Sequence, residues 1–287
     1  MSISIIFRFK KAQKKIFEKI RRMRWRKGVY CQYCGSFSVE LHQIHKTGLH
    51  RYKCRNCPRI FSDLTKTIFE YTKIPLWKWF FAIYETGQKS GISSVELADK
   101  LNINQKSAWR MLDRIRTSFL KYKPLLKGIV EGDEMYVGGK QKGHKGRCIK
   151  WSNKVCVAGV VERKGRATVQ IVDYVSEEAL TSFVERNVKE GSKMCTDGYG
   201  GYNGLNYAGF FHESVDHNRE FVRGNVHTQT IEGLWSFIKR KLKGTYYKVS
   251  NKNLLKYLKE FVLRYNMRAE RPWKRFNYML SFTLATI

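Results

Sequence analysis

The chain carries three acidic residues within four positions, Glu131, Asp133 and Glu134, although its formal net charge is +31. Residues 129–137 around them are rich in strand-forming side chains, and the glycines at 138–139 follow, so the pattern predicts a β-strand and a turn. Side chains alternate faces along a strand, which puts Glu131 and Asp133 on one face and Glu134 on the other. Two interpretations remain open: a solvated edge with outward charges, or an aspartate that holds a metal ion against a phosphate.

Two later carboxylates could join Asp133 in one site. Asp197 ends a short predicted strand at 192–196 and precedes Gly198, so a ligand or another backbone can approach it closely. Taken alone, an Asp-Gly pair is just as typical of a simple turn. Glu232 lies in the first turn of a predicted helix, where the helix dipole favours an acidic side chain whatever its function.

Helical spacing from about Thr230 to Leu242 sorts the side chains around Glu232 into two stripes. The apolar stripe, predicted to face the core, consists of Ile231, Leu234, Trp235, Ile238 and Leu242. The opposite stripe consists of Glu232, Ser236, Lys239 and Lys243. Lys239 lies two turns beyond Glu232 on the same face, so its ammonium group would contact a phosphate beside the carboxylate.

One α/β unit, predicted over residues 128–270, must position these carboxylates. After the Asp133 strand, two strands at 155–161 and 167–173 are separated by a short charged turn that predicts an antiparallel hairpin. The elements that follow are a helix at 177–189, the Asp197 strand, a weak strand near 211–215, and helices at 230–242 and 252–266. The ribonuclease-H-like fold has this order of elements: three strands come first, and helices and strands then alternate. This is an α/β class with a mixed sheet and flanking helices.

A strand aspartate, a strand-end aspartate and, 35 residues later, a helix glutamate form a combination that resembles the DDE transposases. Over roughly residues 30 to 270 the sequence is similar to one branch, the ISXO-like bacterial insertion-sequence enzymes, which are related to eukaryotic Merlin elements. The motifs that carry the resemblance span residues 131–139, 196–199, 215–221, 227–235 and 264–266, and a stretch like 69–77 follows the zinc ribbon of that family.

The resemblance implies that Asp133, Asp197 and Glu232 are catalytic ligands of two Mg²⁺ or Mn²⁺ ions. Carboxylate oxygens suit these hard cations. Two such ions about 4 Å apart activate the attacking oxygen and stabilise the leaving one in a displacement at phosphorus. In the implied reaction, water first frees a 3′-OH at the end of the element, and that hydroxyl then attacks target DNA.

The third ligand is the open assignment within this resemblance. Family members often carry Asn where this chain has Gln229, and some use a third ligand other than glutamate. Lys239 and Lys243 are expected to contact DNA. His217 and His227 could position DNA or the third carboxylate, but a structural role is an equal alternative for each.

Four cysteines, Cys31, Cys34, Cys54 and Cys57, form two C-x2-C pairs with zinc-ribbon spacing. Two intervening residues let both sulfurs of a pair reach one tetrahedral ion at about 2.3 Å. The sequence therefore predicts one structural Zn²⁺ in a ribbon over residues 29–64, the alternative being a degraded site of free thiols. Because so small a module has almost no core, the metal would supply most of its folding free energy.

Residues 65–123 are predicted to be helical. A short helix begins at the capping sequence 93–96, a turn follows at 102–104, and a longer helix begins at about Gln105. This spacing is typical of a helix-turn-helix, although a plain helical hairpin remains an alternative. In the first case the groove-facing side chains would be Gln105, Lys106, Ser107 and Arg110.

The chain ends are basic. Residues 1–28 contain eleven Lys and Arg and one acid, Glu18. Two alternatives remain for this arm, a disordered basic tail or a helix that lies on phosphates. Residues 271–287 are expected to form a C-terminal tail.

The charge of the whole chain favours a polyanionic partner, and nucleic acid is the commonest. No apolar run reaches 18 residues, so neither a bilayer span nor a membrane partner is predicted. We expect double-stranded DNA, both terminal inverted repeats and target, as the partner of a homo-oligomer (a dimer or larger). The expected location is cytoplasmic and nucleoid-associated in a bacterium, or nuclear in a eukaryote. Two alternatives to a transposase are an inactive DNA-binding protein and a nuclease that cuts without joining.

Overall fold

The computed structural model describes residues 8–138, 154–215, 222–246 and 249–285. The chain divides into two compact units, one of residues 1–121 with 270–287 and one of residues 122–269. In the described ranges, no helix is both long enough and apolar enough to cross a membrane.

The first unit begins with helix α1, Gln13–Arg24, and a three-stranded antiparallel sheet. The strands of this sheet are β1 (Val39–Ile44), β2 (His50–Cys54) and β3 (Ile60–Ser62). Ile16, Phe17 and Ile20 recur at helical spacing along α1 and are buried. The basic arm is therefore a packed helix over this range, which is the helical alternative of the two predicted.

Two arginines of α1 bind the protein itself. Arg21 forms a 2.8 Å ion pair with the buried Asp63. The guanidinium of Arg24 donates to the carbonyls of Asp63 and Thr65 and to the side chain of Gln32. These two positive charges hold α1 in place through contacts within the protein, so they are engaged in the fold and not directed at solvent.

Four further α-helices with described bounds belong to the first unit. They are α2 (Leu76–Thr86), α3 (Ser94–Leu101), α4 (Gln105–Ser118) and α8 (Pro272–Leu284). The segment 271–287, expected to be a tail, is thus mostly helical. Proline occupies the first turn of α8, and Phe276, Met279 and Leu280 are buried. Burial of these apolar side chains favours packing of the segment within the unit over extension into solvent.

The second unit is built on a five-stranded mixed sheet. Strands β4 (Ile129–Val137), β5 (Val155–Glu162) and β6 (Ala167–Val172) pair antiparallel, and β7 (Lys193–Asp197) and β8 (Phe211–Val215) continue the sheet in parallel with β4. The strand order across the sheet is β6-β5-β4-β7-β8. The helices are α5 (Glu177–Asn187), α6 (Gln229–Lys243) and α7 (Asn251–Asn266). The predicted mixed α/β sheet is confirmed.

The two faces of this sheet have different partners. On one face, Val130 and Met194 join a buried cluster with Leu180 and Phe183 of α5. The alternate residues of β4 and β7 point to the other face of the sheet, and α6 packs on that face. Between β7 and β8 the chain forms a 3-10 helix, Gly200–Asn206, where the alternation of the predicted fold calls for an α-helix. Three glycines in that stretch, at 200, 201 and 204, disfavour an α-helix.

Candidate active site

Asp133 and Asp197 lie at corresponding positions on the neighbouring strands β4 and β7. Strands β4 and β7 are parallel, with Glu131 beside Cys195. Two residues further along each strand are Asp133 and Asp197, which share one face of the sheet because side chains alternate with a period of two. The backbone N–H of Tyr199 donates to Asp197 Oδ1 at 3.2 Å, so this carboxylate caps the turn that leaves the sheet.

Helix α6 is fixed to this face by an aromatic contact. The indole Nε1 of Trp235 donates to Asp133 Oδ2 at 2.8 Å. Asp133 pairs across the sheet with Gly159, and a Cβ at Gly159 would lie 2.3 Å from the Trp235 ring. The indole therefore occupies the space that a side chain at Gly159 would fill.

Glu232 projects from the first turn of the same helix and is exposed. Its carboxylate accepts a 3.0 Å hydrogen bond from the hydroxyl of Thr228. The predicted stripes are found on α6: Ile231, Leu234, Trp235 and Ile238 are buried, and Glu232, Ser236, Lys239 and Lys243 are exposed. Leu242, at the end of the apolar stripe, is only half-buried.

The pKa of Asp133 reports the charges of the other two carboxylates. The pKa of Asp133 is raised to about 6, chiefly because burial disfavours the charged form. The negative charges of Asp197 and Glu232 raise it further, whereas hydrogen bonds from Trp235 and from the backbone N–H of Glu134 oppose the shift. Asp133 is thus surrounded by two like charges in a partly buried position.

Glu131 was predicted only to share a face with Asp133, and its contacts are more extensive than the sequence suggested. It is fully buried and forms a 2.8 Å ion pair with Arg163. Its carboxylate also accepts hydrogen bonds from the backbone N–H groups of Thr230 and Ile231 and from the Thr230 hydroxyl, at 2.7, 3.1 and 2.9 Å. No sequence signal identifies these partners: Arg163 lies 32 residues further along the chain, and Thr230 and Ile231 lie 99 and 100 residues further along.

Glu134 lies apart from the other carboxylates, on the opposite face of β4. It accepts a 3.2 Å hydrogen bond from the hydroxyl of Tyr202, a fully buried residue of the 3-10 helix. Burial raises the pKa of Tyr202 well above its usual value, and the Glu134 carboxylate raises it further. This separation agrees with the strand alternation predicted from the sequence.

The remaining predicted residues are placed as follows. Gln229 is the first residue of α6 and is exposed. His227 Nδ1 lies 3.3 Å from Glu131 Oε1, in an alignment that makes no hydrogen bond. His217 falls outside the described residues.

Comparison with known proteins identifies the chain. Residues 125–266 match the model of the ISXO2-like transposase domain. A protein of Halobacterium salinarum, the "uncharacterized protein in transposable element ISH50", is 31% identical over 261 residues, which cover 85% of this chain and 88% of that relative. The chain belongs to the ISXO2-like transposase family. This confirms the resemblance drawn from the motifs.

Two solved structures are similar at much lower identity. The crystal structures of the Mos1 strand transfer complex and of a pre-cleavage Mos1 transpososome share 12% and 11% identity with this transposase. Each alignment covers 68% of this chain, and 71% and 72% of the respective Mos1 chains. The TM-scores are 0.29 and 0.28, values too low to establish a common fold.

The four cysteines of the transposase converge. Cys31 and Cys57 lie with their sulfurs 3.6 Å apart, and so do Cys34 and Cys54. Tetrahedral zinc with bonds of about 2.3 Å would separate its ligand sulfurs by roughly 3.8 Å. Among the described residues, these four form the only cluster of three or more metal-binding side chains with ligand atoms within 4.8 Å of one another.

It follows that at least one pair among Asp133, Asp197 and Glu232 is more than 4.8 Å apart. Ligands of a single ion lie closer together than this. Carboxylate oxygens such as these three are the donors that hard divalent cations prefer.

The two predicted helices and the turn between them are present in the first unit, in an arrangement common to both alternatives. Ser93 caps α3 by accepting from the N–H of Glu96, and Asn104 caps α4 by accepting from the N–H of Ser107. Asn102, between them, adopts the left-handed conformation with φ of 47°. Gln105, Lys106 and Arg110 are all exposed on α4, and Ser107 is half-buried.

Proposed function

We propose that this transposase cleaves the ends of its own element and joins them to target DNA, in a DDE-type reaction at a ribonuclease-H-like core. The observation that carries the proposal is the convergence of Asp133 and Asp197 on adjacent parallel strands with Glu232 on α6. Burial is the main cause of the raised pKa of Asp133, and the charges of Asp197 and Glu232 raise it further, which supports their proximity. A site that concentrates negative charge in a chain of net charge +31 suits the binding of cations beside a DNA backbone.

Asp133, Asp197 and Glu232 would hold two Mg²⁺ or Mn²⁺ ions. When bound, such ions supply Lewis-acid activation of the attacking oxygen and stabilisation of the leaving oxygen. The protein's own part is to keep the three carboxylates oriented. Trp235 fixes Asp133, the turn at Tyr199 fixes Asp197, and Thr228 bonds to Glu232.

DNA would lie along the exposed face of α6. Lys239 and Lys243 follow Glu232 on that face and are exposed, so their ammonium groups would neutralise phosphates near the carboxylates. In the first unit, Gln105, Lys106 and Arg110 of α4 would contact bases in the terminal repeats. One structural Zn²⁺ would hold the ribbon of Cys31, Cys34, Cys54 and Cys57 together, and the active species on DNA would be a dimer or larger oligomer.

The decisive experiment compares four variants of the purified chain on DNA that contains the element's ends. Asp133→Asn, Asp197→Asn and Glu232→Gln preserve side-chain volume but each removes one charged ligand. We expect each to abolish cleavage and strand transfer in Mg²⁺ while leaving DNA affinity unchanged or slightly raised. Combined variants should lose no more activity than single ones, because the three carboxylates act as one unit.

Glu134→Gln is the matched control, since it removes a carboxylate from the same strand but from the opposite face. It should stay active. Activity in Glu232→Gln would move the third ligand to Gln229 or another neighbour. A wild-type chain that binds its ends without metal-dependent cleavage would favour the inactive DNA-binding alternative, and cleavage without covalent joining to target DNA would favour a nuclease.

A further inference from the structure

Helix α6 lacks the usual side-chain cap at its first turn. The residue at the N-cap position, Thr228, makes no capping hydrogen bond with its side chain. Its hydroxyl donates instead to the carboxylate of Glu232. The N–H groups of the first turn therefore need an acceptor from elsewhere in the protein, because none is available within the helix itself.

Glu131 is that acceptor. Its Oε2 lies 2.7 Å from the N–H of Thr230 and 3.1 Å from the N–H of Ile231, the second and third residues of α6. A single buried carboxylate from β4 thus does for α6 what an N-cap serine or aspartate usually does. Because Glu131 is two residues from Asp133 on the same strand, the contact ties the start of α6 to the strand of the first aspartate.

Arg163 completes the attachment. It lies just after β5, and its guanidinium binds Glu131 Oε1 through Nε at 2.8 Å. Its two terminal nitrogens donate to the carbonyls of Asn225 and His227, at 2.6 and 3.1 Å. The segment that leads into α6 is therefore held by Arg163, and the first turn by Glu131.

We infer that Glu131, supported by Arg163, is a positioning residue that sets where the Glu232 carboxylate lies relative to Asp133 and Asp197. This inference rests on the proposed function, since it assigns Glu131 the task of preorganising the third metal ligand. Glu131 itself is enclosed by Arg163, Thr230 and Ile231, so it is not free to bind a metal. Side chains that orient metal ligands typically change metal affinity by about 10- to 100-fold when removed.

Glu260 provides a matched control for burial and charge. It is also fully buried in the same unit, and it is paired with an arginine, Arg264, at 3.0 Å. It also accepts a 2.6 Å hydrogen bond from Tyr246. Glu260 lies on α7, and no hydrogen bond or ion pair described above joins it to the first turn of α6, so Glu260→Ala reports the cost of losing a buried carboxylate together with its ion pair and hydrogen bond.

The test uses the zinc-loaded full chain and two readouts. The first is hydrogen exchange of the amides at residues 228–233. We expect Glu131→Ala to speed exchange there by about tenfold or more, since the amides of Thr230 and Ile231 lose their acceptor, and Glu260→Ala to leave it unchanged. The second is Mn²⁺ binding followed by electron paramagnetic resonance, where Glu131→Ala should weaken affinity by about tenfold and Glu260→Ala should not.

Glu131→Gln separates the two tasks of the carboxylate and serves where Glu131→Ala fails to fold. Its amide oxygen can still accept from Thr230 and Ile231, but its NH₂ group opposes Arg163. Hydrogen exchange at residues 228–233 should therefore stay closer to wild type than in Glu131→Ala. Adding Arg163→Met to Glu131→Gln removes the guanidinium that the NH₂ group opposes, so the double variant should recover Mn²⁺ binding. Equal losses in Glu131→Gln and Glu131→Ala in both readouts would contradict capping through the oxygen.

Two further results would overturn the inference. One is unchanged exchange and unchanged Mn²⁺ affinity in folded Glu131→Ala, and the other is the same losses in Glu260→Ala. A wild-type chain that binds no Mn²⁺ would refute the proposed function instead. Wild-type Mn²⁺ binding together with an unaffected Glu131→Ala variant would refute only the positioning role.

Discussion

The indole of Trp235 lies over Gly159 and donates a 2.8 Å hydrogen bond to Asp133, the residue that pairs with Gly159 across β4 and β5. One buried side chain thus sets the spacing between the helix that carries Glu232 and the strand that carries Asp133. The glycine is required because a Cβ there would overlap the ring.

We predict that Gly159→Ala displaces the indole and impairs catalysis. The methyl group would lie 2.3 Å from the Trp235 ring, and neither the sheet backbone nor a buried indole can move aside easily. Overpacking of this kind costs about 1–3 kcal/mol of stability, and loss of the hydrogen bond to Asp133 should lower the cleavage rate by tenfold or more, roughly 1.4 kcal/mol in the barrier. Thermal unfolding and cleavage of element ends measure the two effects.

Gly233→Ala is the control for that variant. Gly233 is exposed on α6, and among the described residues a Cβ built there meets nothing within 4 Å apart from its chain neighbours and the backbone of its own helix. Alanine in a helix is favoured over glycine by about 0.5–1 kcal/mol, so this variant should be more stable than wild type. A Gly159→Ala protein with normal stability and activity would show that the contact between Trp235 and Gly159 has no role.

Asp133→Asn should stabilise the transposase in the absence of divalent cations. The pKa of Asp133 is raised from 3.8 to about 6, so between these values the folded state binds more protons than the unfolded state. The free energy of unfolding contributed by this group therefore falls as pH rises from about 4 to about 6, and stays low above that. At pH 7 the variant should gain about 1–3 kcal/mol, since solvent screens the partly exposed carboxyl group and reduces the penalty of its charge.

The measurement is thermal unfolding of wild type and Asp133→Asn from pH 4 to pH 8, without chelators that would remove zinc. The difference in Tm should be near zero at pH 4 and reach its full size by pH 7. Added Mg²⁺ should raise the Tm of wild type more than that of the variant, because the cation relieves the repulsion. A wild-type chain that is more stable than the variant at pH 7 without Mg²⁺ would contradict the prediction.

The zinc prediction concerns the cysteine cluster of the first unit. We expect metal analysis to find one Zn²⁺ per chain and Cys31→Ser to lose it, because three thiolates leave the tetrahedral shell incomplete. Cys195→Ala is the control, since this free, buried thiol lies in the second unit. Loss of zinc should unfold the ribbon and leave the second unit folded, because that unit buries its own core. A folded, zinc-free ribbon would refute the assignment.

Arg110 on α4 is predicted to contribute specificity. Arg110→Ala should lower the preference for element ends over random DNA, by about 1–3 kcal/mol if its guanidinium contacts a base. Replacing the exposed basic residues Lys10, Lys11, Arg26 and Lys27 should instead weaken binding to both DNAs alike, since phosphate contacts carry no sequence information. Arg21 and Arg24 are excluded from that set because they hold α1 in place. Competition binding at fixed salt measures both effects. If Arg110→Ala lowers the affinity for element ends and for random DNA equally, the helix-turn-helix assignment is wrong.

Local sequence determined much of this protein. The alternation of side chains in residues 129–137 was enough to separate Glu131 and Asp133 from Glu134, because a strand has a period of two. Helical spacing likewise identified the buried and exposed stripes of α6, and the C-x2-C pairs identified a cysteine cluster. These features depend on residues that are close in sequence, and the motifs around the acidic residues were specific enough to give the family.

Only the tertiary structure decided which distant groups meet. Glu131 caps α6 across about a hundred residues, and Trp235 requires the absence of a side chain at Gly159. No periodic pattern in the nearby sequence predicts either contact. The same limit applies in the first unit: the composition of residues 1–28 indicates only a basic arm, whereas the burial of Asp63 turns Arg21 into an internal ion pair. The reason is physical, since the partner of a buried charge is chosen by chain packing and not by sequence neighbours.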